Sequence, residues 1–129
     1  MKLVWVNGCF DVLHRGHFEM LKYAKSFGDY LMVGIDSDQK VKKDKGNNRP
    51  FNSADDRKFA LESIRHVDKV LIFNSRAGLQ HLIKLEPDYM VIGSDWKGKE
   101  IVGGEHCTEL KFFDRIDGYS TTNILNGIK

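Results

Sequence analysis

Cysteine is scarce in this chain: two residues in 129, Cys9 and Cys107, with no second pair. That scarcity excludes a disulfide framework and a four-ligand zinc site, and leaves two reduced thiols of a cytosolic protein as the simple reading. Charge of one sign is lacking as well. Lys and Arg number 20 against 18 Asp and Glu, a net charge of +2, so no bulk electrostatic case exists for nucleic acid or a membrane surface. Any basic site has to be local. Long apolar runs are missing too. Four apolar residues, Leu3 to Val6, precede Asn7-Gly8, too few for a signal-peptide core, and no run approaches a membrane span. A cytoplasmic location is the expectation. There is no internal repeat, linker or low-complexity tract, which predicts a single domain over 1–129.

What is present is an ordinary globular composition, 41% hydrophobic and 29% charged, which excludes a disordered tail. Leu3 to Val6, Tyr30 to Ile35, Val67 to Phe73, Tyr89 to Ile92 and Leu110 to Phe113 read as strands, the first two almost continuously apolar, as in a sheet buried on both faces. Between them, Met20, Leu21, Ala24 and Phe27 mark a helix from about His17 to Phe27, stopped by Gly28. Ser53 and Asp56 resemble a capping box opening a second helix that carries Phe59, Ala60, Ser63 and Ile64. Leu79, Leu82, Ile83 and Leu85 mark a third, ended at Glu86-Pro87. A last helix is expected over Asn123 to Ile128. Strands alternating with helices predict a parallel α/β sheet with helices on both faces. Gln39 to Asn52, rich in Lys, Gly and Asn, reads as a basic mobile loop long enough to serve as a lid. Residues 97 to 109, glycine-rich and polar, read as a second such loop.

The chain is organised around Gly8-Cys9-Phe10-Asp11-Val12-Leu13-His14-Arg15-Gly16-His17, a glycine-bounded turn between the first strand and the first helix. A helix N-terminus offers unpaired N–H groups and the positive end of its dipole, which suits an anion. Polar residues recur at the ends of the strands: His14 and His17, Asp36 and Asp38, Asp95 and Trp96, then Arg115 through Thr122. In a parallel sheet those ends share one edge, where open α/β sheets bind ligands. Taken alone, the two histidines read first as a helix cap and a surface residue.

His14-Arg15-Gly16-His17 is similar to the HxGH signature of the nucleotidylyltransferase superfamily. Ser120-Thr121-Thr122-Asn123-Ile124, following Arg115-Ile116-Asp117-Gly118, is similar to that family's second signature, an RxxGxSTTxI element. Two signatures in the right order at opposite ends reverse the bland reading of the histidines. The resemblance covers essentially the full length and implies a cytidylyltransferase-like domain: a Rossmann-like three-layer α/β/α sandwich with a five-stranded parallel sheet.

It also implies nucleotidyl transfer, in which a substrate phosphate oxygen attacks the α-phosphorus of a nucleoside triphosphate and pyrophosphate leaves. That reaction needs positioning and charge stabilisation rather than an enzyme nucleophile. By resemblance, His14, His17, Lys45 and Arg115 are the catalytic set, with Lys42 as understudy to the loop lysine. Backbone near Cys9 and Phe10, together with Gly16, Asp95, Trp96, Ser120 and Thr121, would bind the nucleotide. Asp11, Asp38 and Arg57 would meet the acceptor. Mg²⁺ is implied by the triphosphate, without a dedicated protein cage. A homodimer is what small members imply.

The substrate signals divide. Gly93-Ser94-Asp95-Trp96-Lys97-Gly98-Lys99 is similar to the GDDWxGK of glycerol-3-phosphate cytidylyltransferases, as are Arg115 and the compact length. Arg49-Pro50-Phe51-Asn52, Glu100 to Gly104 and Asp117 to Asn123 are similar to the nucleotidylyltransferase domain of bacterial heptose-phosphate enzymes, which use ATP. The expectation leans to CTP and a small phospho-polyol such as glycerol 3-phosphate, with an ATP- or CTP-dependent sugar-phosphate enzyme as the alternative. A nucleotide-binding module without turnover is the reading of another class. A flavodoxin-like redox domain fits less well, because Gly8 to His17 is not a Ser/Thr-rich flavin phosphate loop.

Overall fold

The computed structural model describes residues 1–84, 86–114 and 124–125. In chain order the elements are β1 (Leu3–Gly8), α1 (Arg15–Lys25), β2 (Tyr30–Asp36), α2 (Asp38–Lys45), α3 (Ala54–Glu62), β3 (Lys69–Phe73), α4 (Arg76–Ile83), β4 (Tyr89–Gly93) and β5 (Glu109–Phe113). All pairings are parallel and the sheet order is β3-β2-β1-β4-β5. The five strands and three of the helices match the expectation. The last helix expected over 123–128 lies outside the described residues except for Ile124 and Leu125.

The continuous apolar strands divide by period two, as alternating Cβ directions require. Val4, Val6, Leu31, Val33, Ile35 and Val91 face one way, where Leu21 and Ala24 of α1 and Leu61 of α3 cover them. Trp5, Met32 and Met90 face the other way, against Leu79 and Ile83 of α4. Two apolar layers around one sheet make the three-layer sandwich. Its twofold burial explains why β1 and β2 carry almost no polar residue.

Two local expectations change. The Lys-rich stretch is α2 rather than a loop, capped by Ser37, whose side chain accepts from the Lys40 N–H at 3.2 Å, and ended at Gly46 with φ of 100°. Only Val41 of that helix is buried, so no apolar stripe announces it. Its support comes from Asp36, Lys40 and Asp44 at successive i,i+4 spacings. Residues 97–109 also depart from a purely polar loop, since Ile101 and Val102 fold in against the α4 face. Gly28 has a different role from a left-handed stop. Helix α1 ends at Lys25, and a Cβ on Gly28 would stand 2.6 Å from the Lys2 carbonyl oxygen.

The two ends of the sheet are built for different tasks. At the N-terminal edge three aspartates, each directly before a strand, take a backbone N–H of the neighbouring strand. Asp29 accepts from Lys2 at 2.8 Å, Asp68 from Leu31 at 2.7 Å and Asp88 from Leu3 at 2.8 Å. That edge is tied shut. The C-terminal edge opens into a cavity.

Candidate active site

Strand order reverses between β1 and β4, which leaves a crevice beyond their C-terminal ends. The crevice is a cavity of about 640 Å³, floored by Val6 to Phe10 of β1 and the turn after it. Its walls include His17 of α1, Lys45 of α2, and Asp95 and Trp96 after β4. A volume of that order suits a nucleotide-sized ligand.

Both histidines take part in the cap of α1. His14 is the N-cap of α1, and its Nδ1 accepts from the Gly16 N–H at 3.0 Å. His17, at the third helical position, returns the bond: its Nδ1 accepts from the His14 N–H at 3.2 Å. This is a capping box made from two imidazoles. With each Nδ1 used as an acceptor, the ring proton resides on Nε2. The cap thereby fixes two Nε2–H donors side by side, ring centroids 3.9 Å apart.

Burial first, then the nearby charges of His14 and Lys45, push the His17 pKa down to about 4. His17 is therefore neutral near pH 7 and donates without carrying a charge. The sign of the stability effect follows from linkage. Between pH 6.5 and about 4 the unfolded chain holds the proton that the folded one refuses. Stability is full above pH 6.5 and falls toward pH 4, by about 3 kcal/mol in all. Denaturant midpoints measured across that window should show this slope in the native chain and a flattened one in His17→Gln. An unchanged slope would assign the loss to another group.

The turn before α1 is held under tension. Phe10 is buried with φ of 51°, a left-handed conformation that a bulky residue adopts only when its surroundings impose it. Its ring lies 5.3 Å from that of His17. Cys9 lines the cavity, and burial pushes its thiol above the ordinary value against the pull of Lys45 and Arg57. It is a packed thiol, not an activated one.

The three residues expected at the acceptor are engaged with the chain itself. The Asp11 carboxylate is wholly buried and accepts from Phe51 N–H at 2.7 Å, Asn52 N–H at 2.8 Å and Arg49 Nε at 3.0 Å. Burial alone would raise its pKa, but those N–H groups and the guanidinium outweigh it and hold it below the usual carboxylate value. Arg57 has no exposed side-chain surface. Its guanidinium donates to the carbonyls of Asn52, Cys9 and Asp36 at 3.1, 2.9 and 2.8 Å, and to Asp38 Oδ1 at 2.9 Å. Asp38 also accepts from the Ala54 N–H at 2.8 Å, while its side chain stays 41% exposed. The expectation of direct acceptor contact is thus corrected for Asp11 and Arg57. Both bind the segment 49–52 and the strand ends into one frame under the cavity.

Lys45, Asp95 and Trp96 line the cavity. Lys45 ends α2 on the cavity rim, near enough to His17 and Cys9 to act on both. Asp95 and the half-exposed Trp96 sit on the 3₁₀ turn Ser94–Trp96 after β4. Gly93 makes room there, since a Cβ on it would lie 2.6 Å from Asp95 Oδ1. Arg115, Ser120 and Thr121 lie outside the described residues. The pattern missed Lys40, Phe73 and Arg76 as cavity residues. Their only signal was position at or just after a strand's C-terminal end.

A parallel sheet with paired imidazole donors and a helix N-terminus at its switch point defines a nucleotide-handling α/β domain. The chain belongs to the cytidylyltransferase-like family, whose model matches residues 5–126, and it is a nucleotidyltransferase. It is 48% identical over 127 residues to the bifunctional protein HldE of Campylobacter fetus, covering 98% of this chain and 28% of that one. It is 44% identical over 128 residues to the HldE of Helicobacter pylori strain HPAG1, covering 99% of this chain and 28% of that one. The chain thus spans less than a third of the length of these relatives. Among solved structures it resembles the lipopolysaccharide core biosynthesis protein of Thermoplasma volcanium, at TM-score 0.69 and 25% identity, covering 93% and 99% of the two chains. Pantothenate synthetase from Thermus thermophilus, at TM-score 0.66 and 13% identity, covering 96% of this chain and 61% of that one, shares the fold. No helix among the described residues is long and apolar enough to cross a membrane.

Proposed function

We propose that the chain transfers an adenylyl group from ATP to the phosphate of a sugar phosphate of the heptose 1-phosphate type. The observation that carries the proposal is the identity with HldE proteins along nearly the whole chain. It sides with the heptose-phosphate pattern in Arg49 to Asn52 and Glu100 to Gly104, against the glycerol-phosphate pattern in Gly93 to Lys99. The expectation that leaned to CTP and glycerol 3-phosphate therefore yields to its alternative.

In this reading an oxygen of the acceptor phosphate attacks the α-phosphorus, the bond from that phosphorus to the bridging oxygen breaks, and pyrophosphate leaves with the electron pair. Catalysis rests on donors preset where charge grows. The Nε2–H groups of His14 and His17 and the Lys45 ammonium meet the departing phosphates, with Arg115, Ser120 and Thr121 assigned to the same task. Trp96 offers a face to the base and Asp95 a carboxylate to the ribose. Among the described residues no group of three or more His, Cys, Asp or Glu could hold a metal ion. Mg²⁺ would enter on the triphosphate's own oxygens, and no step is assigned to a protein-held ion.

The test is a pyrophosphate-release screen of ATP and CTP against heptose 1-phosphate, glycerol 3-phosphate and other phospho-polyols, with Mg²⁺. ATP with the sugar 1-phosphate should give the fastest release. Nucleotide binding with no release from any pair would replace this reading by that of a binding module.

A further inference from the structure

With the nucleotide on Asp95 and Trp96, as the proposed function has it, the cavity keeps a second half. Its β4 side carries Asp95 and Trp96, while its β2–β3 side is built from Asp36, Lys40, Asp44, Phe73 and Arg76. Lys40 is the centre of that second half. Its Nζ lies 2.7 Å from Asp44 Oδ2, 3.6 Å from Asp36 Oδ1 and 5.8 Å from the centre of the Phe73 ring. Side-chain exposure of 22% for Lys40 and 16% for Asp36 sets these two in the wall, while Asp44, 47% exposed, stands at its rim. At the mouth, Arg76 is paired with Glu100.

This arrangement discriminates by charge. A cationic headgroup would have to compete with the Lys40 ammonium for both carboxylates. A second anionic group could reach the Lys40 ammonium only against the repulsion of Asp36 and Asp44. A neutral hydroxyl, donor and acceptor at once, can pair with the ammonium and with either carboxylate. Phe73 adds an apolar surface for the carbon skeleton. A hydrogen bond to a charged group carries selectivity of about 10–100-fold when it is lost.

We propose that Asp36, Lys40 and Asp44 form the subsite for the unreacting end of the acceptor, and that they select a phosphate ester whose far end is neutral and polyhydroxylated. The identity of the reaction rests on the sugar-phosphate reading above; the place and the charge preference rest on the cavity.

Calorimetric titration of the native chain, Lys40→Met and Asp36→Asn with heptose 1-phosphate, phosphoethanolamine and ATP tests this. Lys40→Met should bind the sugar phosphate about 10-fold or more weakly. It should also gain affinity for phosphoethanolamine, because two carboxylates then face the cavity without their cation. Asp36→Asn should weaken sugar-phosphate binding without that gain. ATP affinity should stay within about twofold in both. Sugar-phosphate binding equal to native in both variants, or absent from the native chain, would overturn the subsite. So would a parallel loss of ATP affinity. A native chain that binds the sugar phosphate but releases no pyrophosphate retires the reaction and keeps the subsite. Native-like turnover and acceptor affinity in both variants does the reverse.

Discussion

Replacing His17 with alanine should lower pyrophosphate release by about 10²–10³-fold, the usual cost of one preset donor to a developing oxyanion. The substitution removes two things together. The first is the Nε2–H that the proposed reaction uses as a donor to the triphosphate. The second is the Nδ1 acceptor that closes the capping box on the His14 N–H, a loss of about 1 kcal/mol of stability. His17→Gln separates them, since glutamine at this helical position restores a capping box but carries no imidazole donor. Steady-state kinetics and denaturant unfolding on both variants decide the matter. The glutamine variant should regain most of the stability and little of the rate. Recovery of the rate in His17→Gln would reduce His17 to a cap.

The other large effect is on stability. Arg57→Met should destabilise the fold by about 3–5 kcal/mol, the range for removing one partner of a buried charged network. Met fills similar volume, so little of the loss is a cavity. What remains is three backbone carbonyls, those of Cys9, Asp36 and Asn52, deprived of their donor, and Asp38 deprived of a counter-charge. Lysine keeps the charge but not the fork, so Arg57→Lys should recover only part of the loss. Urea unfolding measures it; a change below about 1 kcal/mol in Arg57→Met would show that the arginine does not tie the strand ends. The same residue bears on the site at one remove. Arg57 grips the Cys9 carbonyl from the buried side, and in a trans peptide the Phe10 N–H points the opposite way. The strained Phe10 backbone is held by that grip.

Much of this architecture was legible in the residues. Leu3 to Val6 and Tyr30 to Ile35 announce buried strands because their apolar runs leave no polar face. Helix α1 is visible because Leu21 and Ala24 recur at its period. Helix α2 was not legible, because a helix with one buried residue has no stripe, and its i,i+4 charges read equally well as a solvated loop. The three aspartates that tie the N-terminal edge show a regularity, one carboxylate directly before each of β2, β3 and β4. Their partners lie on a neighbouring strand, so the role becomes visible only after the strands are ordered. Asp11 and Arg57 misled for the same kind of reason. A charged residue near an anion site suggests a ligand contact, and residue type alone does not distinguish a group that faces the cavity from one buried beneath it.

The alternation of strands and helices and the glycine-bounded turn from Gly8 to His17 were legible from the residues alone. Those are local properties, set by period, caps and glycine positions within a few residues. The tertiary structure decided the rest. Placing β4 beside β1 opened the crevice and brought Trp96 to the edge where His17 stands; pairing β3 with β2 brought the Phe73 ring under Lys40. It also turned Arg57 inward. Each of these depends on which strands pair and what covers them, an energy summed over residues far apart in the chain, and no short window of sequence contains it.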